Sequence, residues 1–194
     1  MDWTEFYDNQ AGRAARPVLL QALELCGVDQ PGTALDLGCG EGTESRHLLV
    51  NGWRVHAFDA DPAAEARVKA GLDEDQLGRL AFLQARFEGL GELPAADLVY
   101  SGFALPFCDP VAFPGVWAGI RSALKPGAVI AAELFGPHDS WADRADMNFH
   151  DRAAVEVLLS GLDVRSLVED DRPGQSGLGP KHWHVFHIIA RNPD

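Results

Sequence analysis

The clearest chemical signature in this chain is a short glycine-rich segment, ALDLGCGEG, at residues 34–42. It follows the spacing D-x-G-x-G-x-G, with Asp36 first and Gly38, Gly40 and Gly42 after it. Glycines at a turn from strand to helix permit positive φ and let a ligand approach the backbone, while the helix N-terminus offers unpaired N–H groups. The segment therefore predicts a binding site for a ligand that carries an acidic group.

A second acid, Asp59, ends the next predicted strand, 21 positions after Gly38. An acid at that point can accept hydrogen bonds from both hydroxyls of a ribose. A dinucleotide loop also begins with Gly-x-Gly, but it needs Gly or Ala at its sixth position, which is Thr43 here. The two acids and the loop together predict a cofactor that contains adenosine, with NAD the less favoured candidate.

The cysteines do not point to a redox or zinc site. Cys26, Cys39 and Cys108 are odd in number and lack C-x-x-C spacing, which predicts reduced thiols. Cys39 lies between two loop glycines, where only a small side chain fits. We expect it to pack within the cofactor loop rather than to act as a nucleophile.

Histidines cluster near the end of the chain, in KHWHVFHIIA. His182 and His184 alternate on one face of a predicted strand, and His187 faces the other way. One strand face supplies only two ligands, and no Cys or carboxylate at ligand spacing completes a tetrahedral set. We therefore expect no metal, and we expect His184 and His187 to be structural.

The elements that must position these residues alternate between helices and strands. Helical spacing predicts helices at 17–26, 44–51, 62–70, 111–125 and 151–160, with Asp61 capping the third and Pro114 interrupting the fourth. Apolar runs predict strands at 33–38, 53–58, 79–84, 96–101, 128–134, 162–169 and 181–190. The alternation predicts an α/β fold with a parallel sheet. The segment DDRPGQSGLGP joins the last two strands without a helix, which predicts an antiparallel pair.

The ordered motifs ALDLGCGEG, AFDADP, ADLVYSGFALPFC, ALKPG and KHWHVFHIIA cover nearly the whole chain. In this order they resemble the class I S-adenosylmethionine-dependent methyltransferases, and within them the small bacterial tellurite-resistance-type enzymes. The resemblance implies a doubly wound, Rossmann-like sheet of seven strands in the order 3-2-1-4-5-7-6, with strand 7 antiparallel. It also implies S-adenosylmethionine as the cofactor and methyl transfer as the reaction.

The resemblance assigns the residues at the strand ends to parts of the cofactor. The backbone at Gly38 and Gly40 would pass close to the methionyl group, with Asp36 beneath it. The remaining contacts are Asp59 to the ribose, Ala60 to the adenine, and Ser101 to the amino-acid portion. After strand three the class often carries an Asp that accepts from the adenine amino group, but Arg86 stands there. We expect adenine recognition to rest on the Phe87 backbone instead.

Residues 1–16 precede the first predicted helix and include Glu5, Tyr7, Arg13 and Arg16. Such segments in this class often fold over the cofactor as a lid, and a solvated N-terminus is the alternative. In the lid, Arg13 is the best partner for the cofactor carboxylate because its planar fork can bind it bidentately.

The acceptor side is expected at the ends of strands four and five. Methyl transfer from a sulfonium is an in-line displacement that alignment and water exclusion can accelerate, so a base is needed only for a protonated acceptor. The candidate bases are Glu133 and His138. Phe103, within SGFALPF, is expected to line the acceptor pocket.

Strand direction adds three further residues to the expected acceptor site. An antiparallel strand begins at the edge where parallel strands end, so Lys181, His182 and Trp183 should open onto the acceptor. They should face the end of strand six at Glu169 and Asp170.

Composition limits the kinds of partner that the chain is expected to bind. The 194 residues predict one domain over 1–194, and a formal net charge of −13 opposes binding to the phosphates of nucleic acid. The acidic N-terminus and the lack of a long apolar run predict a soluble cytoplasmic protein, monomeric or homodimeric. We expect a small-molecule acceptor. The alternatives are a sensor that binds the cofactor without turnover and, less favoured, an NAD-dependent oxidoreductase.

Overall fold

A computed structural model of the chain describes residues 12–27, 31–176 and 179–193. Its helices are α1 Pro17–Cys26, α2 Thr43–Val50, α3 Ala64–Lys69, α4 Glu74–Gly78, α5 Phe113–Ala123 and α6 Arg152–Leu158. Its strands are β1 Thr33–Leu37, β2 Arg54–Asp59, β3 Leu80–Gln84, β4 Ala96–Ser101, β5 Leu124–Phe135, β6 Asp163–Ser176 and β7 Gly179–Arg191.

The strands form one seven-stranded sheet in the order β3-β2-β1-β4-β5-β7-β6. The pairs from β3 to β5 are parallel, and β7 is antiparallel to both β5 and β6. The predicted strand order and the antiparallel seventh strand are confirmed. Parallel neighbours end at the same edge, so the loops after β1, β2, β4 and β5 meet there.

Both faces of the sheet are covered, which explains why its central strands are almost continuously apolar. On one face, Leu35 and Leu37 of β1 pack in a core with α5 and α6. On the other face, Ala34 packs in a core with α1, α2 and α3. Asp36 points toward this second face, because side chains alternate along a strand.

Three details of the predicted helices differ from the structure. Pro114 lies in the first turn of α5 and does not interrupt it, because a proline there gives up an N–H that has no intrahelical partner anyway. The third helix begins at Ala64 rather than Pro62, although Asp61 Oδ1 does accept from the Ala63 N–H, at 2.9 Å. Helix α4 was not predicted, and Asp73 starts it with a capping box.

The final hairpin is longer than predicted. Most of the supposed connection DDRPGQSGLGP belongs to β6 and β7, because β6 is the edge strand and an edge position tolerates Pro173. The expected register is wrong as a result: Glu169 pairs with Phe186 and Asp170 with Val185.

The residues expected opposite Glu169 and Asp170 lie farther along the ribbon. Lys181 pairs with Gly174, and Trp183 pairs with Arg172. Among the described helices, none combines the length and the apolarity that a membrane crossing requires.

The core packing predicts that the same Val→Ala substitution lowers the free energy of unfolding by different amounts at two positions. Val129, on β5 between β4 and β7, is fully buried, whereas Val111 is 92% exposed. Val129→Ala removes buried methyl groups and leaves a cavity, so we expect it to lower the free energy of unfolding by about 2 kcal/mol. Val111→Ala should change it by less than about 0.5 kcal/mol. Urea denaturation of both variants measures the difference, and equal midpoints would contradict the packing.

Candidate functional site

The glycine loop makes a tight turn between β1 and α2. The backbone N–H groups of Gly38 and Cys39 both donate to the Phe58 carbonyl at the end of β2, at 2.8 and 3.0 Å. Gly38 has φ of 82°, and a Cβ at this position would overlap the Ala104 side chain. The turn needs glycine for both reasons, and Gly38 also lines the cavity described below.

Asp59 fixes the next loop against the glycine loop. Its Oδ2 accepts from the Gly40 N–H at 2.8 Å, and its Oδ1 accepts from the Asp61 N–H at 2.8 Å. The residue is only 7% exposed, and burial raises the pKa of its carboxyl. Each oxygen keeps a second lone pair, so a ribose diol could still bind both of them.

A cavity opens beside Asp59. Five residues that sequence reasoning assigned to the cofactor line it together: Gly38, Asp59, Ala60, Arg86 and Phe87. Its other walls include Phe58, which sequence reasoning did not assign, and Ala104 and Phe107, which belong to the stretch SGFALPF that was expected at the acceptor pocket. Mixed apolar walls with one buried acid suit a flat base joined to a ribose.

Asp36 lies buried at the end of β1. It is 1% exposed, and its Oδ2 accepts from the Ser45 hydroxyl at 2.6 Å. Burial, followed by the neighbouring Glu44 carboxylate, raises the pKa of Asp36 to about 8. A cation nearby would stabilise the carboxylate form of Asp36, because an opposite charge favours the ionised form of an acid.

Arg13 lies beside the N-terminal end of α2, near the glycine loop. Its two terminal nitrogens contact the Glu44 carboxylate at 2.5 and 2.6 Å, and one of them lies 2.5 Å from Glu41. The Arg13 guanidinium, which was predicted to bind the cofactor carboxylate, therefore binds Glu44 in this structure. The role of Arg13 in cofactor binding stays a prediction. Tyr7, predicted to contact the cofactor, and Glu5 lie outside the described residues.

Cys39 and Ser101 are both buried against the backbone. Cys39 is 4% exposed, and burial raises the pKa of its thiol, which disfavours the nucleophilic thiolate. The Ser101 hydroxyl donates to the Leu37 carbonyl at 2.9 Å, so it joins the ends of β4 and β1. Its predicted contact with the cofactor stays a prediction.

A second cavity lies between the start of α1, with the residue before it, and the strands β5, β7 and β6. Its walls include Arg16, Phe103, Glu133 and His187. Phe103 has φ of 56°, which is unusual for a residue with a side chain, and the Arg16 guanidinium lies 4.7 Å from its ring centre. Sequence reasoning had assigned Phe103 and Glu133 to the acceptor, but it read His187 as structural.

The two predicted bases lie in different surroundings. Glu133 is 1% exposed and faces His187 across the β5–β7 register, with Oε1 3.5 Å from Nδ1. His138 is exposed, and its Nδ1 lies 2.8 Å from the Asp171 carboxylate on the hairpin. Glu133 lines the second cavity, whereas His138 does not belong to its walls.

Lys181 is buried rather than open to a ligand. Its ammonium pairs with Asp139 and lies 3.9 Å from the ring centre of Trp141 and 4.4 Å from that of Trp183. Burial lowers its pKa. Lys181 and Trp183 therefore belong to an aromatic cluster, which also includes Phe103, Phe107 and Phe135. This cluster connects the two cavities, because Phe107 lines the first and Phe103 the second.

His182 lies outside the aromatic cluster, on the surface of the hairpin. It is exposed, and its Nε2 lies 2.5 Å from Asp171. Its predicted contact with the acceptor stays a prediction.

His138, Asp171 and His184 bring possible ligand atoms within 4.8 Å of one another. Both ring nitrogens of His184 are engaged, one by the His138 N–H at 3.1 Å and the other by Glu169 at 3.0 Å. The rings of His138 and His184 are stacked, 4.7 Å apart and 26° from parallel. Lone pairs in the planes of stacked rings do not converge on one ion, so hydrogen bonding accounts for this cluster.

Comparison with family models matches residues 34–127 to the methyltransferase domain. The fold is similar to that of TehB from Haemophilus influenzae, with a TM-score of 0.78 and 14% identity over 96% of this chain and 65% of TehB. Residues 34–127 therefore match a methyltransferase domain, and the chain as a whole has the fold of solved methyltransferases. A 1,6-didemethyltoxoflavin-N1-methyltransferase from Burkholderia thailandensis, solved with S-adenosylhomocysteine, shares this fold at a TM-score of 0.70 and 21% identity, over 98% and 85% of the two chains.

Curated methyltransferases match shorter stretches. A malonyl-[acyl-carrier protein] O-methyltransferase from Xylella fastidiosa is 28% identical over 61% of this chain and 40% of its own length. A ribosomal RNA small subunit methyltransferase H from Methylorubrum populi is 44% identical over 41% of this chain and 23% of its own length. This chain thus spans less than half the length of these relatives.

The raised pKa of Asp36 predicts that cofactor binding releases a proton. At pH 7 a carboxyl with a pKa of about 8 is mostly protonated, and the ammonium of a bound S-adenosylhomocysteine would favour the carboxylate. We expect calorimetry at pH 7, in buffers of different ionisation enthalpy, to detect this release. Affinity should rise with pH as pH approaches 8. The isosteric variant Asp36→Asn should release fewer protons on binding. Equal proton release by the wild type and the variant would contradict the contact between Asp36 and the cofactor ammonium.

Proposed function

We propose that this chain transfers the methyl group of S-adenosylmethionine to a small-molecule acceptor. The main support for this proposal is the cavity beside Asp59, where the glycine loop and the residues after β2 and β3 meet. A second cavity lies beyond the aromatic cluster, so a donor and an acceptor have separate places at one sheet edge.

The residues of the first cavity fit the adenosine of the cofactor. Asp59 would accept from the ribose hydroxyls, and Ala60 and the Phe87 backbone would contact the adenine, with Arg86 at the outer wall. Gly38 lines the same cavity, so its backbone would lie within reach of a ligand there. These roles remain proposals, as do those of Arg13, Cys39, Gly40 and Ser101.

The methionyl part would lie over the glycine loop and Asp36. When bound, S-adenosylmethionine supplies a methyl group on a sulfonium, which an acceptor can displace in line. The chain contributes alignment and a site from which water is excluded, and both can lower the barrier without a reactive side chain. The buried aromatic cluster around Phe135, which is 1% exposed, suits that exclusion.

The acceptor would enter the second cavity and contact Phe103. Glu133 is the candidate base there, since its carboxylate is buried in the wall of the cavity. We assign Lys181 and Trp183 to the support of Phe103 through the aromatic cluster, because the Trp183 ring lies 5.7 Å from the Phe103 ring. The relatives named for malonyl-[acyl-carrier protein] and for didemethyltoxoflavin support a small acceptor.

Replacement of Asp59 tests the cofactor site. Asp59→Ala removes charge-assisted hydrogen bonds to the ribose worth about 1.5–3 kcal/mol each, so S-adenosylhomocysteine affinity should fall at least about tenfold. Asp75→Ala is the matched control, because the Asp75 side chain is 84% exposed on α4. Calorimetry should find wild-type affinity in the control. Wild-type affinity in Asp59→Ala would refute the proposed site, and comparable binding of NAD would favour an oxidoreductase.

Nucleic acid is not the proposed acceptor, although some relatives are ribosomal RNA methyltransferases. A net charge of −13 leaves little positive surface to neutralise phosphates. We expect a filter assay at physiological salt to show negligible retention of ribosomal RNA, tRNA or duplex DNA. Submicromolar retention of any of these would contradict the assignment.

A further inference from the structure

The wall of the second cavity holds a buried acid that its surroundings leave partly unsatisfied. Glu133 is 1% exposed, and its Oε2 has no hydrogen-bond partner within the described residues. A buried carboxylate oxygen without a donor is costly to keep, by at least about 1–3 kcal/mol. Such an oxygen at a cavity wall is a site where a ligand donor would be stabilised.

The neighbours of Glu133 do not supply that donor. His187 faces Glu133 from β7, but its Nδ1 lies 3.5 Å away and makes no hydrogen bond in the part of the chain described. Tyr100, on β4, has a buried hydroxyl that likewise lacks a partner there. Three adjacent strands therefore each contribute one polar side chain with an unpaired atom among the described residues, namely Tyr100, Glu133 and His187.

The rest of the cavity is mainly apolar. Pro17, Val18, Val168 and Ile189 line it, together with the Phe103 ring. Arg16 is its one cationic wall residue among those described, and its guanidinium is drawn over the Phe103 ring, 4.7 Å from the centre. A flat, apolar molecule with one hydrogen-bond donor fits these walls.

The position of Glu133 suits contact with an acceptor rather than with the cofactor. Asp36 pairs with Tyr100, Tyr100 pairs with Ala131, and Glu133 lies two residues beyond Ala131 on the same face. Two strand spacings separate Asp36 from Glu133, about 10 Å across the sheet. This gap leaves room for an acceptor beside a methionyl group held over Asp36.

From this geometry we infer that the acceptor is a flat, apolar compound with an N–H or O–H group that donates to Glu133 Oε2. A carboxylate acceptor would instead bring a second acid against Glu133, which is 1% exposed. A thiol is a weak donor and would satisfy the oxygen poorly. The inference rests on the proposed methyl transfer and names the substrate class for it.

Fragment binding to the S-adenosylhomocysteine complex tests the inference. The probes are benzimidazole, which carries an N–H, 1-methylbenzimidazole, which lacks it, and benzoate, which is anionic. We expect benzimidazole to bind the wild type at least about tenfold more tightly than either of the others, as measured by ligand-observed NMR titration. Glu133→Gln should weaken benzimidazole binding about tenfold and leave 1-methylbenzimidazole unchanged.

The controls separate this inference from the proposed function. Glu156→Gln is the matched variant, since the Glu156 side chain is 59% exposed on α6, and it should bind every probe like the wild type. Glu133→Gln should keep S-adenosylhomocysteine affinity and should unfold at no lower temperature than the wild type. Equal affinity for the three probes, or unchanged benzimidazole binding in Glu133→Gln, would overturn the inference alone. If the wild type does not bind S-adenosylhomocysteine, the proposed function itself is overturned.

Discussion

The arrangement of the site depends on the pair of hydrogen bonds that ties the glycine loop to the end of β2. Gly38 and Cys39 both donate to the Phe58 carbonyl, and one residue later Asp59 accepts from Gly40. These contacts fix two successive loops against each other through backbone atoms. Gly38 has to lack a side chain here, because a Cβ would overlap the Ala104 side chain. The cavity proposed for the adenosine opens beside these two loops.

A row of buried acids follows the same edge of the sheet. Asp36, Asp59 and Glu133 lie at or near the carboxyl ends of β1, β2 and β5, and each is less than a tenth exposed. Protein groups satisfy Asp36 and Asp59 in part, whereas Glu133 keeps an oxygen without a donor. Burial, followed by the charge of Glu44, raises the pKa of Asp36. In our proposal the cofactor contacts Asp36 and Asp59, and the acceptor contacts Glu133.

The parts of the fold and site that are local in sequence could be predicted. The glycine loop and Asp59 follow from residues that lie next to each other in the chain, whereas the strand order was implied by the resemblance to the class I methyltransferases. The length of the hairpin could not, because Pro and Gly in DDRPGQSGLGP normally indicate a loop and only an edge position admits them to a strand. The contact of Glu133 with His187 depends on antiparallel register, which no local pattern encodes. For the same reason Lys181 was expected at an open edge and instead lies among aromatic rings.

The central claim is that this edge of the sheet holds S-adenosylmethionine with its methyl group turned toward the second cavity. A crystal structure of the protein with S-adenosylhomocysteine tests it most directly. We expect the ribose on Asp59, the adenine beside Phe87, the methionyl group over Gly38, and the sulfur on the side of Phe103. Electron density for the ligand elsewhere, or a sulfur directed away from Phe103 and Glu133, would contradict it.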